Sequence, residues 1–160
     1  MSISTIAPRC SNAWIRDAVF LPDVNVLLYA HGADAPHHAT CNAWLEAVIN
    51  DHASFGVSEL VLSGFIRLVT HPKVSAKPSA LPEALTFAEQ FRGRPNSVTV
   101  SPGERHWEIF RSLCDEARVK GNLVQDAYLA ALAIESGCEW VTTDRDFSRF
   151  KGLRWRQPSR

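Results

Sequence analysis

The stretch that decides the fold is GNLVQDAYLAALAIESG, residues 121–137, followed at once by CEWVTTDRDF, residues 138–147. From Leu123 to Ile134 the sequence is apolar on nearly every side of a helix, which is typical of a helix buried between other elements. The run from Glu139 to Thr143 has the length and composition of a short strand. This stretch therefore predicts a buried central helix with Asp126 near its start, and a strand that ends just before Asp144.

The rest of the chain repeats this alternation of short strands and helices. Strands are predicted at Val19 to Leu21, Ala53 to Val57, Ser97 to Val100 and Leu153 to Arg156. Helices are predicted at 24–30, 39–50, 60–70, from Pro82 to near Gly93, and at 104–118. Ser58 is the predicted N-cap of the 60–70 helix. The 104–118 helix is predicted to carry one apolar stripe, formed by Trp107, Phe110, Cys114 and Ala117. The alternation predicts an α/β fold with a mostly parallel sheet of four to five strands, flanked by helices.

Four carboxylates fall where such a sheet would gather them. Asp23, Glu59 and Asp144 each follow a predicted strand, and Asp126 lies on the buried helix. Ligands of open parallel sheets bind beyond the carboxyl ends of the strands, so we expect these side chains to meet. Their like charges repel, and a cluster stays ionised only if a cation or a basic group neutralises it. Hard divalent cations prefer carboxylate oxygens, so the pattern indicates a hydrolytic Mg²⁺ or Mn²⁺ site.

Each carboxylate also has an ordinary structural interpretation. Asp23 is a common turn residue, Glu59 suits the start of a helix, and Asp144 or Asp146 can cap the short segment at Phe147. Asp126 carries the strongest argument for function, because an unpaired buried carboxylate costs on the order of several kcal/mol. In the structural alternative, the negative charge of Asp126 is compensated by the helix dipole or by an arginine.

Composition narrows the class of protein. The chain has 160 residues and 46% hydrophobic content, which predicts one globular domain. The formal net charge is zero, so nucleic-acid binding has to rely on local basic patches such as the one that begins at Arg145. Four dispersed cysteines, no apolar signal-peptide core and no membrane-spanning stretch predict a cytoplasmic protein with reduced thiols.

Three segments carry a resemblance to a known family: LPDVNVLLYAH (21–31), SELVLSGFIRLVTHP (58–72) and CDEARVKGNLVQDAYLAALAIESGCEWVTTDRDFSRF (114–150). With them the chain resembles the PIN-domain ribonucleases, and most closely the VapC-type toxins of bacterial toxin-antitoxin pairs. The resemblance covers roughly residues 20–156. It implies a PIN-like three-layer sandwich at 19–156, preceded by an N-terminal extension at 1–18 and followed by a tail at 157–160.

The resemblance also implies the chemistry and the partners. It places Asp23, Glu59, Asp126 and Asp144 at the metal, with Asp23 and Asp126 as direct ligands. It adds Asn25, Thr142 and Asp146 as supporting residues. Because RNA is polyanionic and the site is acidic, basic groups have to surround it, and the candidates for RNA contact are Lys120, Arg145, Arg149 and Lys151. The implied activity is Mg²⁺- or Mn²⁺-dependent hydrolysis of RNA that leaves 5′-phosphate and 3′-hydroxyl ends. The implied partners are a VapB-type antitoxin and a second copy of the chain.

Two other functions remain open from the sequence. A haloacid-dehalogenase-like phosphatase uses an aspartate after the first strand as nucleophile and a second aspartate two residues on; here that second position is Asn25, which disfavours this class. A catalytically degenerate PIN scaffold that binds RNA or protein is the other alternative. Retention of all four acids argues against it.

Overall fold

The computed structural model describes residues 18–74 and 77–159. Residues 1–17 of the predicted N-terminal extension, which include Cys10, therefore lie outside the described residues. The basic residue Arg160 lies outside them as well. Within them, five strands form one sheet in the order β3-β2-β1-β4-β5, and every pairing is parallel. The strands are β1 (Phe20–Pro22), β2 (Phe55–Val57), β3 (Ser97–Thr99), β4 (Glu139–Val141) and β5 (Trp155–Arg156).

In the described part of the chain, six α-helices flank this sheet: α1 (Val24–His31), α2 (His38–Asn50), α3 (Glu59–Val69), α4 (Leu81–Arg92), α5 (His106–Ala117) and α6 (Asn122–Ser136). A 3₁₀ helix, Arg145–Arg149, links β4 to β5. Helix α1 packs against α2 and α3, α4 packs against α3, and α5 packs against α6. The predicted PIN-like α/β sandwich is confirmed, with a sheet that is parallel throughout.

The core lies between the sheet and its helices. Leu21, Phe55 and Trp140 are fully buried on the three central strands, and Phe65 of α3 and Leu132 of α6 are fully buried against them. Continuous apolar runs of this kind are expected where both faces of a parallel sheet are covered. Within the described residues, no helix is long and apolar enough to cross a membrane.

Two details of the sequence interpretation are corrected. Trp107 was assigned to the apolar stripe of α5, but its side chain is 63% exposed, and the buried residues of that helix are His106 and Leu113. The stripe is displaced because His106 turns inward to bond the Tyr128 carbonyl at 2.9 Å. Ser58 occupies the N-cap position of α3, but its side chain makes no capping hydrogen bond.

Candidate metal centre at the carboxyl edge of the sheet

The site is built where β1 and β4 end side by side. Phe20 pairs with Glu139 and Pro22 with Val141, so the next residues along the two strands, Asp23 and Thr142, face each other across the sheet. The Asp23 backbone N–H donates to the Val141 carbonyl at 2.8 Å, which continues the pairing up to this point. Strand order therefore joins two residues that are 119 positions apart in the chain.

Three donors hold the Asp23 carboxylate, which is only 5% exposed. The Val24 N–H donates to Oδ1 at 2.6 Å and so caps α1. The Thr142 hydroxyl donates to Oδ2 at 2.6 Å, and the Asn25 amide donates to the same oxygen at 2.9 Å. An ionised carboxylate offers about four lone-pair sites, so this one keeps an acceptor direction for a further ligand.

Asn25 and Thr142 tie the two strand ends into one unit. The Asn25 amide also donates to Thr142 Oγ1 at 3.0 Å, and Asn25 Oδ1 accepts from the Thr143 N–H at 3.2 Å. Thr142 Oγ1 in turn accepts from the Asp144 N–H at 3.0 Å. The two residues that the sequence offered as polar supporters thus orient Asp23 and fix the turn that carries Asp144.

Asp144 and Asp146 belong to the 3₁₀ helix after β4. Asp144 Oδ1 accepts from the Asp146 N–H at 2.8 Å, which caps that helix and leaves Oδ2 available. Asp146 pairs with Arg149 at 3.0 Å, with i,i+3 spacing. The structural and functional interpretations of Asp144 are compatible, because a capping carboxylate retains a second oxygen.

Asp126 faces this group from the start of α6. It lies one turn beyond the helix start at Asn122, and the helix dipole acts mainly on groups within the first turn. Arg149 lowers the pKa of Asp126, but its guanidinium forms an ion pair with Asp146 and not with Asp126. Asp126 is partly buried, and neither structural alternative gives its carboxylate a direct partner among the described residues.

The electrostatics show which acids share one environment. The pKa of Asp23 is raised to about 7, mainly by burial and also by the charges of Asp126 and Asp144, while the hydrogen bonds from Thr142 and Val24 oppose the shift. The pKa of Asp126 is raised to about 6, mainly by burial and also by the charges of Asp144 and Asp146, while Arg149 opposes the shift. These carboxylates repel one another, and a cation among them would relieve the repulsion.

Glu59 lies in a different environment at the start of α3. Its side chain is exposed and forms an ion pair with Arg92 of α4 at 2.8 Å. The charges that raise the pKa values of Asp23 and Asp126 come from Asp126, Asp144 and Asp146, and not from Glu59. Glu59 is therefore separate from the electrostatically coupled group.

The donor set fits a hard cation that keeps much of its water. Within residues 18–74 and 77–159, no group of three or more His, Cys, Asp or Glu side chains is arranged so that it could hold a metal ion by itself. Mg²⁺ is usually held by one or two carboxylates together with waters and substrate phosphates, so a site of this kind does not need three such side chains. Asp23 and Asp126 satisfy this description, because both are acceptor groups whose charges are unfavourable without a cation.

Comparison with known proteins places this geometry in a family. The family model for the PIN domain matches residues 20–153. The chain belongs to the PIN domain family. It is 43% identical over 136 residues to Ribonuclease VapC43 of Mycobacterium tuberculosis, covering 85% of this chain and 92% of that protein. It is 41% identical over 140 residues to Ribonuclease VapC25 of the same organism, covering 88% and 99%.

Solved structures agree on the fold of this PIN domain. The VapBC2 complex of Rickettsia felis, bound to a DNA fragment from its promoter, matches with a TM-score of 0.63 and 19% identity, covering 87% of this chain and 98% of that one. Membership in the PIN family also removes the haloacid-dehalogenase-like phosphatase from consideration. In that class the second position would carry an acid, whereas here the Asn25 amide donates to Asp23.

Several basic residues lie near the acids of the PIN domain in sequence, and one of them, Arg149, contacts an acid of the group. Lys120, Arg145 and Lys151 are exposed, and Arg149 is held against Asp146. Two other basic residues near the C-terminal end have structural contacts: Arg154 donates to the Gly137 carbonyl, and the Arg156 guanidinium lies 5.6 Å from the centre of the Phe20 ring.

Sequence reasoning missed two features of the site. It treated Arg149 only as an RNA contact, although the i,i+3 spacing to Asp146 is a signal for an ion pair. It also treated Ser58 only as a helix cap. Ser58 directly follows β2, which pairs with β1, and this position was the available signal that Ser58 lies at the same edge of the sheet as Asp23.

Proposed function

We propose that this PIN domain is a metal-dependent ribonuclease that hydrolyses phosphodiester bonds and is the toxin of a VapBC-type pair. The observation that carries the proposal is the electrostatic coupling of Asp23, Asp126 and Asp144 at the carboxyl edge of the sheet. The relatives named Ribonuclease VapC43 and VapC25 support the same activity.

The proposed ligands are Asp23 and Asp126, and the proposed cation is Mg²⁺ or Mn²⁺. Thr142 and Asn25 hold Asp23 in one orientation, so its remaining acceptor direction is fixed before any ligand arrives. When bound, a divalent cation lowers the pKa of a bound water and neutralises charge on the scissile phosphate. Asp126 supplies the second carboxylate from the facing helix.

The outer acids have lesser roles in this proposal. Asp144 uses Oδ1 for its cap, so Oδ2 accepts a hydrogen bond from the attacking water and orients it. Asp146 keeps Arg149 beside the site. Glu59 acts through water or joins a second cation site when RNA is present, which requires it to leave Arg92. An exposed ion pair contributes about 0–1 kcal/mol to stability, so breaking the pair between Glu59 and Arg92 costs little free energy.

The substrate is recognised by charge around an acidic centre. RNA is polyanionic, so cationic side chains must offset its repulsion by the carboxylates. Lys120, Arg145 and Lys151 are exposed and are the proposed phosphate contacts, with Arg149 joining them from its pair with Asp146.

The proposed protein partners are a VapB-type antitoxin and a second copy of this chain. The solved VapBC complexes from Rickettsia felis and Haemophilus influenzae have the same fold as this chain and support the antitoxin assignment. We propose that the protein acts in the cytoplasm, which is consistent with RNA as substrate and an antitoxin as inhibitor.

The test is cleavage of total RNA by the purified protein in Mg²⁺ and in EDTA. We expect cutting in Mg²⁺ by wild type and by Asp115→Asn, a matched control in which an exposed aspartate of α5 is neutralised. We expect no cutting in EDTA, and none by Asp23→Asn or Asp126→Asn. Equal cutting by these two variants would remove the assignment, and RNA binding without cutting would identify the degenerate scaffold instead.

A further inference from the structure

The structure contains a buried hydroxyl beside the acidic group that the proposed function does not use. Ser58 is 2% exposed, and among the described residues its Oγ has no hydrogen-bond partner. Buried polar groups are nearly always hydrogen-bonded, so an unpartnered one calls for an explanation. Helix capping does not supply it, because the Ser58 side chain makes no bond to the first turn of α3.

The sheet register places Ser58 in the same row as Asp23 and Thr142. Phe20 of β1 pairs with Phe55 of β2 and with Glu139 of β4. Three residues further along, the same row holds Ser58, Asp23 and Thr142 on adjacent strand ends. Paired residues of neighbouring parallel strands direct their side chains to the same face, and the strands lie about 4.8 Å apart.

Backbone conformation keeps this row intact beyond the strand ends. Asp23 has φ −73° and ψ 160°, and Ser58 has φ −111° and ψ 129°, so both are extended. On one side of Asp23, the row is closed by the direct bond from Thr142 at 2.6 Å. On the other side of Asp23 the register places Ser58, whose hydroxyl makes no hydrogen bond to Asp23.

We propose that Ser58 is a positioning residue of the metal centre, whose hydroxyl binds a water of the cation's hydration shell next to Asp23. This inference rests on the proposed function, since it takes Asp23 as a ligand of a hydrated divalent cation. A buried water needs two to four polar partners, and Ser58 Oγ, the Asp23 carboxylate and the cation supply them. Outer groups of this kind orient the ligands and raise the affinity for the metal.

The decisive variant is Ser58→Ala, which removes only the hydroxyl. Without metal we expect it to be at least as stable as wild type in urea denaturation, because an unpartnered buried hydroxyl gives the fold nothing. With metal we expect the Mn²⁺ dissociation constant, measured from the electron paramagnetic resonance signal of free Mn²⁺, to rise about 10-fold or more. Ser63→Ala is the matched control, because Ser63 lies on α3, is exposed and donates to the Leu60 carbonyl at 3.0 Å. For this variant we expect the metal-free stability and the Mn²⁺ dissociation constant to stay near the wild-type values.

RNA cleavage adds a second signature. For Ser58→Ala, the Mg²⁺ concentration that gives half the maximal rate should rise by the same factor, and the rate should largely recover at saturating Mg²⁺. An unchanged Mn²⁺ affinity would overturn the assignment of Ser58. So would a loss of metal-free stability, because it would mean that the hydroxyl has a partner within the fold.

The same measurements separate this inference from the function on which it rests. If wild type cuts RNA and binds Mn²⁺ but Ser58→Ala equals it, only the role of Ser58 is overturned. If wild type binds Mn²⁺ with the expected dependence on Ser58 but cuts no RNA, the role of Ser58 stands and the ribonuclease proposal fails.

Discussion

The raised pKa of Asp23 predicts that the metal-free protein loses stability as pH rises. Asp23 has a pKa of about 7 in the folded protein, compared with 3.8 for an ordinary aspartate. A raised pKa means that the folded state binds the proton more tightly than the unfolded state, so folding is favoured at low pH. The contribution is complete below about pH 4 and is lost as pH rises through about 7.

The size of this loss follows from the pKa difference. Each pH unit corresponds to about 1.36 kcal/mol, so the contribution of Asp23 falls by on the order of 4 kcal/mol between pH 4 and pH 7. Other groups titrate in the same range; burial lowers the pKa of His31, for example, which makes stability rise with pH. Asp23→Asn keeps those groups and lacks the titrating carboxyl, so the difference between the two proteins isolates Asp23.

The assay is urea denaturation of wild type and Asp23→Asn at pH 5 and pH 8, in EDTA and in Mg²⁺. In EDTA we expect wild type to lose about 3 kcal/mol relative to Asp23→Asn between these pH values, because the loss of about 1.36 kcal/mol per pH unit ends near the pKa of about 7. In saturating Mg²⁺ the loss should be largely abolished, because the cation stabilises the ionised carboxylate. A difference between the two proteins that stays constant with pH in EDTA would refute the described environment of Asp23.

Three further substitutions test separate parts of the structure. Gly56→Ala should destabilise the fold by about 1–3 kcal/mol in urea denaturation, because a Cβ at this fully enclosed position would lie 3.1–3.3 Å from two side chains and a backbone carbonyl. Thr142→Val should raise the pKa of Asp23 further, since it removes the 2.6 Å hydrogen bond, and should weaken Mn²⁺ binding about 10- to 100-fold in a direct titration. Glu59→Gln should change stability by less than about 1 kcal/mol, because the pair with Arg92 is exposed, and should slow RNA cleavage less than loss of Asp23 does.

The fold was largely predictable because its signals are local. The alternation of short apolar strands with amphipathic or buried helices predicted the order of the elements, and their ends lie within two residues of the predicted positions. Asp126 was the clearest local signal of a site, because a carboxylate on a buried helix needs a partner. The position of Trp107 was predicted wrongly, since helical spacing does not show which of two adjacent faces turns inward.

The remaining features depend on contacts between distant segments. The bond between Thr142 and Asp23 joins two strand ends, and the pair of Glu59 with Arg92 joins two helices 33 residues apart. No local pattern specifies such pairs, because they depend on strand order and helix packing. The unpartnered hydroxyl of Ser58 also depends on contacts between distant segments. A serine before a helix is predicted to be a helix cap, and only its burial and sheet register show otherwise.

The central claim is that Asp23 and Asp126 converge on one divalent cation. Its most direct test is a crystal soaked in Mn²⁺ and measured near the manganese absorption edge, so that the anomalous signal locates the ion. We predict a peak in direct contact with both carboxylates, with Asp144 reached through water. A peak elsewhere, or none at saturating Mn²⁺, would contradict the account.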